Sequence, residues 1–257
     1  IGEGEVAVVD PGPAIEAHVE AILNAIKGET VTHILVTHTH NDHSPACRML
    51  QPEVNNAPTY GFGPHGSGKA EQGVVVEEGG DMEFVPDVVV RDGDVVEGNG
   101  WSVDCVHTPG HTSNHICFGY REEKALLTGD HVMGWSTSVI SPPDGDMSDY
   151  FASLDKLLTR DDSVYWPTHG PAIRDPKPFV RAFLEHRRAR ETQIAACLSD
   201  DITSIEAMVL RMYVDVSPKL YGAAARSVLA HLQHMVQDGR VACAGEPGLH
   251  STFGLPK

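Results

Sequence analysis

The sequence predicts an α/β domain followed by a small helical module. Two apolar runs, at residues 5–9 and 32–36, flank a stretch that repeats apolar positions at helical spacing over residues 14–27. Short strand-like segments separated by Gly, Asp and Asn turns follow between residues 88 and 128. From residue 179 onward the spacing of apolar residues is helical again. These three observations determine the predicted fold class.

The N-terminal segments are expected to form a βαβ unit. The first strand ends at Asp10-Pro-Gly, the helix stops at Gly28, and the second strand runs into a histidine-rich loop. A short crossover of this kind places the two strands parallel. Because loops at the carboxyl ends of parallel strands meet at one edge of the sheet, Asp10 and His38 are expected to lie there together.

The central part of the chain is expected to add several strands and one helix. Asp146 and Asp149 are typical of a helix N-terminus and precede a predicted helix over 148–159, after which residues 164–166 form a last short strand. The Gly-rich stretch 61–80 has no periodicity and is expected to be a loop. The intervening strands are expected at residues 88–90, 94–97, 101–107, 116–119 and 125–128.

The C-terminal part differs from the rest in pattern and in charge. Residues 1–176 contain 9 basic and 28 acidic residues, whereas residues 177–257 contain 10 basic and 8 acidic ones. We therefore predict one large domain over 1–176 and a smaller appended module over 177–257. The expected elements of this module are helices 179–198, 203–213 and 220–237 and a two-stranded wing at 240–244.

Composition limits the classes of partner and the cellular compartment. No apolar run approaches the roughly 18 residues that a membrane-spanning helix needs, so we expect a soluble chain with no membrane partner. The five cysteines are scattered and never spaced as C-x-x-C, which argues against a disulfide framework or a thiolate zinc finger and favours a cytoplasmic location. The net charge of −17 repels nucleic acid phosphates unless a local basic patch or bound metals overcome it.

A dense cluster of metal-binding residue types follows the second predicted strand. In an extended turn His38 and His40 project to one side, while Asp42 and His43 turn away as a helix begins at Ser44-Pro45. Two sets of ligands are therefore expected, suited to Zn²⁺, with Mn²⁺ or Fe²⁺ as alternatives. The other interpretation, a polar loop with ordinary histidines, is disfavoured by the density of the cluster.

Three more potential ligands each directly follow a predicted strand. They are His111 in a Pro-Gly-His-Thr motif, Asp130 in Thr-Gly-Asp and His169 in Thr-His-Gly. Each alone would more often be an ordinary loop residue. The repeated pattern of a strand followed by a ligand predicts instead that they complete one site with the histidine cluster.

These motifs, taken together over residues 5–172, resemble the metallo-β-lactamase superfamily. The resemblance implies an αββα sandwich with two metals, related to the glyoxalase II and RNase Z branches. It also implies that Asp130 bridges both metals and that Asp10 orients a ligand histidine or its loop. Ser44-Pro45-Ala46 stands where many relatives have a glycine pair. The implied ligands are His38, His40 and His111 for the first metal and Asp42, His43 and His169 for the second.

A site of this kind predicts hydrolysis by a bridging water whose pKa falls toward neutrality. Asp42 could accept the proton released on attack as well as bind metal. His115 has two interpretations. In the first it stabilises developing negative charge or protonates the leaving group. In the second it lies behind the ligands or at the surface and does not contact the substrate. His131 follows Asp130 and is expected to be structural. Residues 134–145 are expected either to line the substrate pocket or to position the following helix.

Two functions stay open from the sequence. Hydrolysis of a small ester, thioester or lactone fits the acidic N-terminal domain, with the tail serving as a lid or homodimer surface. Residues 179–245 resemble the winged-helix tail of the β-lactamase-like protein 2 branch, which favours the alternative of an endoribonuclease or phosphodiesterase that acts on single-stranded RNA.

Two further patterns bear on this choice. The expected recognition helix carries only Lys219, Arg226 and two histidines, and the three arginines of the densest basic cluster, at 187, 188 and 190, are expected on a solvent-exposed arc of a helix. β-Lactamase activity is less favoured, because the branches that open β-lactams generally lack an aspartate in the Asp130 position.

Overall fold

The first sheet of the fold grows from the βαβ unit. A computed structural model describes residues 1–68 and 79–256 of the chain. The predicted unit is confirmed, and two further parallel strands extend it in the order β1-β2-β3-β4. The elements are β1 (Glu5–Val9), α1 (Glu16–Ala25), β2 (Thr30–Leu35), β3 (Thr59–Gly61) and β4 (Val88–Val89).

The second sheet has six strands in the order β10-β9-β8-β7-β6-β5. Its neighbours pair antiparallel except β8 and β9, which are parallel because a helix connects them. All the strands predicted between residues 94 and 166 are present. They are β5 (Val95–Gly98), β6 (Trp101–His107), β7 (Ile116–Tyr120), β8 (Ala125–Gly129) and β9 (Val164–Pro167). The sixth strand, β10 (Ile173–Arg174), was not predicted.

The two sheets lie face to face, with helices on their outer faces. Ile34 and Leu35 are adjacent on β2 and both fully buried, yet Ile34 packs under α1 while Leu35 faces Val103 and Phe118 of the second sheet. Successive side chains of a strand point to opposite faces, so a strand buried on both faces reads as a continuous apolar run. The layers are therefore helix, sheet, sheet, helix.

Two helices of the first 170 residues differ in how well the sequence predicts them. α3 (Met147–Leu158) begins where predicted, and the Asp146 carboxylate accepts a hydrogen bond from the Asp149 backbone N–H at 3.1 Å. The expected helix start at Ser44-Pro45 is wrong: residues 41–46 form turns, and α2 spans Cys47–Leu50. His38, His40 and His43 consequently lie in a loop that ends before α2 begins.

The C-terminal part forms three helices and a small hairpin around a separate core. The helices agree with the prediction, but residues 240–244 supply only one of the two strands expected there. That strand pairs with a second one near the C-terminus, where the sequence has no periodic pattern. Its elements are α4 (Pro176–Ser199), α5 (Ile205–Met212), α6 (Tyr221–Gln237), β11 (Ala242–Cys243) and β12 (Phe253–Gly254).

Helix α4 contributes to two cores. Its first half, with Val180 and Leu184, packs against α3 and the second sheet, whereas its second half, with Ile194 and Leu198, packs against α5 and α6. The division of the chain into 1–176 and 177–257 stays a prediction, and it coincides with the start of this shared helix.

The prediction of three exposed arginines on α4 is wrong for one of them. Arg187 is only 3% exposed, whereas Arg188 and Arg190 face solvent at least in part. Arg187 follows Leu184 by three residues and precedes Ile194 by seven, so helical geometry places it on the buried stripe.

Three remaining observations concern loops, cysteines and membranes. The predicted loop 61–80 is partly described: Phe62–Gly68 is irregular, and residues 69–78 lie outside the described residues. All five cysteines are free thiols, and four of them are buried. Among the described residues, no helix is long and apolar enough to cross a membrane.

Candidate metal centre

The seven ligand candidates meet at one edge of the sandwich. They reach it from loops that follow β2, β6, β8 and β9, each at the carboxyl end of its strand. The structure groups them in overlapping sets whose nitrogen and oxygen atoms lie within 4.8 Å of one another. His38, His40 and His111 form what we call the first set, and Asp42, His43 and His169 form the second set. A further group, His38, His43 and Asp130, shares one member with each of them.

The first set consists of three imidazoles. His40 Nδ1 lies 3.0 Å from His38 Nε2 and 3.1 Å from His111 Nε2. Burial, together with the neighbouring rings, lowers the pKa of His40 to about 2 and places the pKa of His38 well below its ordinary value. The rings are therefore neutral at pH 7, and neutral imidazole is the form that binds metals.

The second set lies closer to solvent. His169 Nε2 is 3.1 Å from Asp42 Oδ2, and His43 Nε2 is 3.6 Å from Asp42 Oδ1. The Asp42 side chain is 53% exposed, whereas the His43 side chain is fully buried. Solvent and small molecules can therefore reach the cluster from the side of Asp42.

Asp130 lies between the two sets. Its Oδ1 atom is 3.5 Å from both His43 Nε2 and His169 Nε2, and its Oδ2 atom is 3.8 Å from His111 Nε2. One oxygen thus faces each set, which is the arrangement that a bridging carboxylate needs.

Two buried polar atoms at the centre of this cluster have no hydrogen-bond partner among the described residues. They are His43 Nε2 and Asp130 Oδ1, which face each other. Burial opposes the charged form of His43, but the carboxylates of Asp10 and Asp130 raise its pKa to about 10. Buried polar atoms are normally satisfied, and a divalent cation between these donors would satisfy both. The residues present therefore fit a metal.

Asp10 anchors the loop that carries the histidines. Its Oδ2 atom accepts hydrogen bonds from His43 Nδ1 at 2.9 Å, from Thr37 Oγ1 at 2.7 Å and from Thr168 Oγ1 at 3.1 Å. Its Oδ1 atom accepts from the Thr37 backbone N–H at 2.8 Å. Because Nδ1 of His43 must donate to this carboxylate, its Nε2 atom is left to face Asp130. Asp10 thus orients a ligand candidate, as the family resemblance implies.

His115 lies behind the cluster. It is fully buried, its Nδ1 atom is 2.9 Å from Thr108 Oγ1, and its Nε2 atom accepts from the Asp130 backbone N–H at 3.3 Å. Both ring nitrogens are therefore engaged with the protein. This geometry favours the supporting interpretation over direct contact with a substrate.

His131 is also fully buried, and burial lowers its pKa to about 3. Its ring lies against Tyr150, with centroids 4.7 Å apart. Its backbone carbonyl accepts hydrogen bonds from Tyr150 Oη at 2.9 Å and from Ser138 Oγ at 2.8 Å. These contacts fit the structural role expected for it.

A second carboxylate, which sequence reasoning missed, holds the other end of the histidine loop. Asp81 Oδ2 accepts a hydrogen bond from Ser44 Oγ at 2.8 Å, and the Asp81 backbone N–H donates to the Thr39 carbonyl at 2.7 Å. Arg48 contacts both carboxylate oxygens at 3.0 Å. Ser44 stands where many relatives have a glycine pair, and here it is held by this hydrogen bond to Asp81. No local signal marks the role of Asp81, because Ser44, Thr39 and Arg48 lie more than 30 residues earlier in the chain.

The segment after Asp130 supplies the surface next to the cluster. Trp135 is 70% exposed, and its ring stacks on His169 with centroids 5.7 Å apart and planes 10° apart. Val139 is exposed too, while its carbonyl accepts a hydrogen bond from His111 Nδ1 at 2.6 Å. Of the two interpretations of this segment, both contacts support the one in which it lines a substrate site.

Comparison with known families agrees with this geometry. A model described as Metallo-beta-lactamase superfamily matches residues 1–169. The chain belongs to the metallo-β-lactamase superfamily. A second model, described as Beta-lactamase associated winged helix domain, matches residues 204–248 of the tail. As a superfamily member the chain is a hydrolase, with the α/β fold and the C-terminal winged-helix domain that its sequence predicts.

Two relatives and one solved structure are similar to this chain beyond residue 169 or over most of its length. A beta-lactamase-like protein 2 homolog from Caenorhabditis elegans is 28% identical and covers 91% of this chain and 76% of that protein. An atrochrysone carboxyl ACP thioesterase from Aspergillus terreus is 28% identical and covers 77% of this chain and 57% of that protein. The crystal structure of a metallo-beta-lactamase family protein from Thermus thermophilus superimposes with a TM-score of 0.79 at 22% identity, covering 99% of this chain and 91% of that one. The structural match shows that the superfamily fold and the tail occur together in that chain.

Proposed function

We propose that this chain hydrolyses a thioester with two divalent metal ions held by the seven clustered side chains. The observation that carries the proposal is the position of Asp130, with one carboxylate oxygen toward each set of ligands. When bound, two such ions supply a hydroxide nucleophile near pH 7 and polarise the scissile carbonyl. The metal-binding residues are proposed to be His38, His40, Asp42, His43, His111, Asp130 and His169.

The chain's own residues have distinct roles in this proposal. Asp42, half-exposed at the open side, accepts the proton released on attack at a carboxylate oxygen. His115 accepts the hydrogen bond of the Asp130 backbone N–H and so fixes the main chain that carries the central carboxylate. We therefore assign His115 to positioning rather than to contact with the substrate.

The donor set supports Zn²⁺ as the metal. Five of the seven proposed ligands are imidazoles, and mixed imidazole and carboxylate sites suit Zn²⁺, with Mn²⁺ or Fe²⁺ as alternatives. None of the proposed ligands is a thiolate, since the cysteines lie elsewhere in the fold.

One observation favours a thioester, and a second favours an apolar acyl group. One relative carries the name of a thioesterase, and it matches most of this chain. Residues 134–141 also carry no charged side chain, in a protein with a net charge of −17, and they expose Trp135 and Val139 beside the ligands. Such a surface suits an uncharged, apolar acyl group. A lactone or simple ester would present the same carbonyl to the same residues.

Hydrolysis of single-stranded RNA is the second candidate, and the winged-helix match at residues 204–248 favours it. The basic side chains of α6 do not form the stripe that tracks a phosphate backbone, because this helix contains Arg226 and no other Lys or Arg. We therefore rank RNA below a small substrate.

The test combines metal analysis with a substrate screen. Purified protein should contain two equivalents of Zn²⁺ and hydrolyse aryl thioesters faster than it hydrolyses lactones, bis-para-nitrophenyl phosphate, single-stranded RNA or a chromogenic β-lactam. Asp130→Ala should lose most thioesterase activity and at least one metal equivalent, whereas Asp161→Ala, at an exposed position, should lose neither. Full activity and two bound metals in Asp130→Ala would refute the site assignment, and preferential cleavage of RNA would select the second candidate.

A further inference from the structure

Arg187 is a buried cation in the helix that joins the two parts of the chain. It is 3% exposed, one of its terminal nitrogens donates a hydrogen bond to the Ser138 carbonyl, and its guanidinium carbon lies 5.2 Å from the centre of the Tyr150 ring. Among the described residues its contacts are with a carbonyl and an aromatic face rather than with a carboxylate. A buried cation without a counter-ion costs free energy, so its contact with Ser138 calls for an explanation.

The Ser138 carbonyl is adjacent in the chain to the carbonyl that holds a ligand candidate. The next residue, Val139, accepts a hydrogen bond from His111 Nδ1 at 2.6 Å. A carbonyl oxygen can only accept, so Nδ1 of His111 carries the proton and its Nε2 atom is free to face His40 and Asp130.

The Val139 carbonyl depends on its neighbours for its position. The Val139 side chain is exposed and packs against no core, whereas Ile140 is fully buried on one side of it. On the other side, Ser138 is held twice, since its hydroxyl donates to the His131 carbonyl at 2.8 Å and its own carbonyl accepts from Arg187. Loss of the guanidinium would release the Ser138 end of this short segment.

We propose that Arg187 is a positioning residue that fixes the orientation of His111 through the main chain of residues 138 and 139. The inference rests on the proposed function, because it takes His111 to be a metal ligand. It gives the helical tail a direct structural connection to the catalytic centre, by way of the buried face of α4.

The test replaces Arg187 and reads out the metal site with Co²⁺. Wild-type and variant proteins are loaded with Co²⁺, their visible absorption spectra are recorded, and the dissociation constants of both ions are measured by competition with a chelator. Arg187→Met should alter the spectrum and weaken one of the two ions by about 10- to 100-fold, as is usual for loss of a partner that orients a ligand. Arg187→Lys keeps a hydrogen-bond donor but lacks the planar guanidinium, so its ion affinities should lie between those of wild type and Arg187→Met.

Arg188→Met serves as the matched control, because it removes the neighbouring, exposed cation of α4. It should keep the wild-type spectrum and the wild-type affinities for both ions.

The outcomes separate this inference from the proposed function. A folded Arg187→Met with wild-type spectrum and affinities, in a protein that binds two ions, would overturn the role of Arg187 alone. If Arg187→Met does not fold, wild-type affinities for both ions in Arg187→Lys would overturn it instead. A wild-type protein that binds no Co²⁺ or Zn²⁺ would overturn both proposals.

Discussion

Asp10 accepts a hydrogen bond from His43 Nδ1 at 2.9 Å and so connects the end of β1 to the histidine loop after β2. The same carboxylate receives three more hydrogen bonds, two from Thr37 and one from Thr168. A single buried side chain therefore connects the loops that follow three strands. These hydrogen bonds hold the loops after the strands in place and so keep the clustered ligand candidates close together.

Asp10→Asn should weaken metal binding by about 10- to 100-fold at the set that contains His43. Asparagine tolerates the left-handed backbone of this position, φ 46°, but its amide nitrogen cannot accept from donors that now surround both oxygens. The measurement is chelator competition with Zn²⁺.

Asp87→Asn is the matched control, because Asp87 accepts from the backbone N–H and hydroxyl of Thr59 in the same manner, away from the ligands. It should lose stability without loss of metal affinity. Equal metal affinity in Asp10→Asn and wild type would show that the carboxylate does not orient His43.

Removal of the metals should lower thermal stability. Ions that bind the folded protein alone stabilise it by mass action, by about 2.7 kcal/mol at a free concentration one hundred times the dissociation constant. For a chain of this length that free energy corresponds to roughly 5 to 10 °C in the unfolding midpoint. Differential scanning fluorimetry of chelated and Zn²⁺-loaded protein measures the shift. His111→Ala should show a much smaller shift, and a full shift in that variant would place the ions elsewhere.

Trp135→Ala should raise the KM for aromatic and long-chain acyl thioesters by about tenfold and change kcat little. The exposed ring offers apolar area to the substrate rather than to the core, so its loss removes binding energy at small cost in stability. Steady-state kinetics over a series of acyl groups measures the effect. Trp166→Ala is the control, since Trp166 is also partly exposed but lines a cleft with Ile1 and Tyr120. A uniform loss of kcat for all substrates would indicate that Trp135 acts through His169 instead.

Glu191→Gln should destabilise the protein by about 3 kcal/mol at pH 7. The Glu191 carboxylate is buried between α4 and α6, where it accepts from His234 Nδ1 at 2.6 Å and from Arg240 Nη1 at 2.7 Å. Burial alone would raise the pKa of Glu191, but hydrogen bonds from His231, His234 and Arg240 depress it far below its ordinary value. Urea unfolding measures the difference, and Glu185→Gln, exposed on the same helix, should stay within about 0.5 kcal/mol of wild type.

The sign of its pH dependence follows from the depressed pKa. The stabilisation is fully present above the ordinary pKa of a glutamate, about 4.3, and is lost as the pH falls toward the folded-state value. The gap between wild type and Glu191→Gln should therefore be constant from pH 7 to about 5 and narrow below about 4. A gap that widens as the pH falls would contradict the depressed pKa.

Most elements and the clustering of the ligand candidates can be predicted from the sequence, because both depend on local patterns. His111, Asp130 and His169 each follow a strand, and parallel or neighbouring strands bring such positions to one edge whatever the details of packing. The strand at 59–61 was missed because three residues carry no periodicity. Pro45 suggested a helix start, but the hydrogen bond of Ser44 to Asp81 holds that segment in turns.

The contacts that orient the ligands could not be predicted. Asp81 and Arg187 act on residues 37 and 49 positions away in sequence, and neither lies in a motif. Arg187 belongs to the predicted cluster of three exposed arginines, although its spacing from Leu184 and Ile194 places it on the buried stripe of α4. The sequence does not indicate its partner, because the Ser138 carbonyl lies 49 positions earlier in the chain.

Helix α4 packs in both cores, and this affects how the protein unfolds. Since Val180 and Leu184 belong to one core and Ile194 and Leu198 to the other, neither core can lose its share of this helix without opening the surface of its neighbour. Partial unfolding of the tail alone would have to break a continuous helix of 24 residues. We therefore expect the two cores to unfold in one cooperative transition.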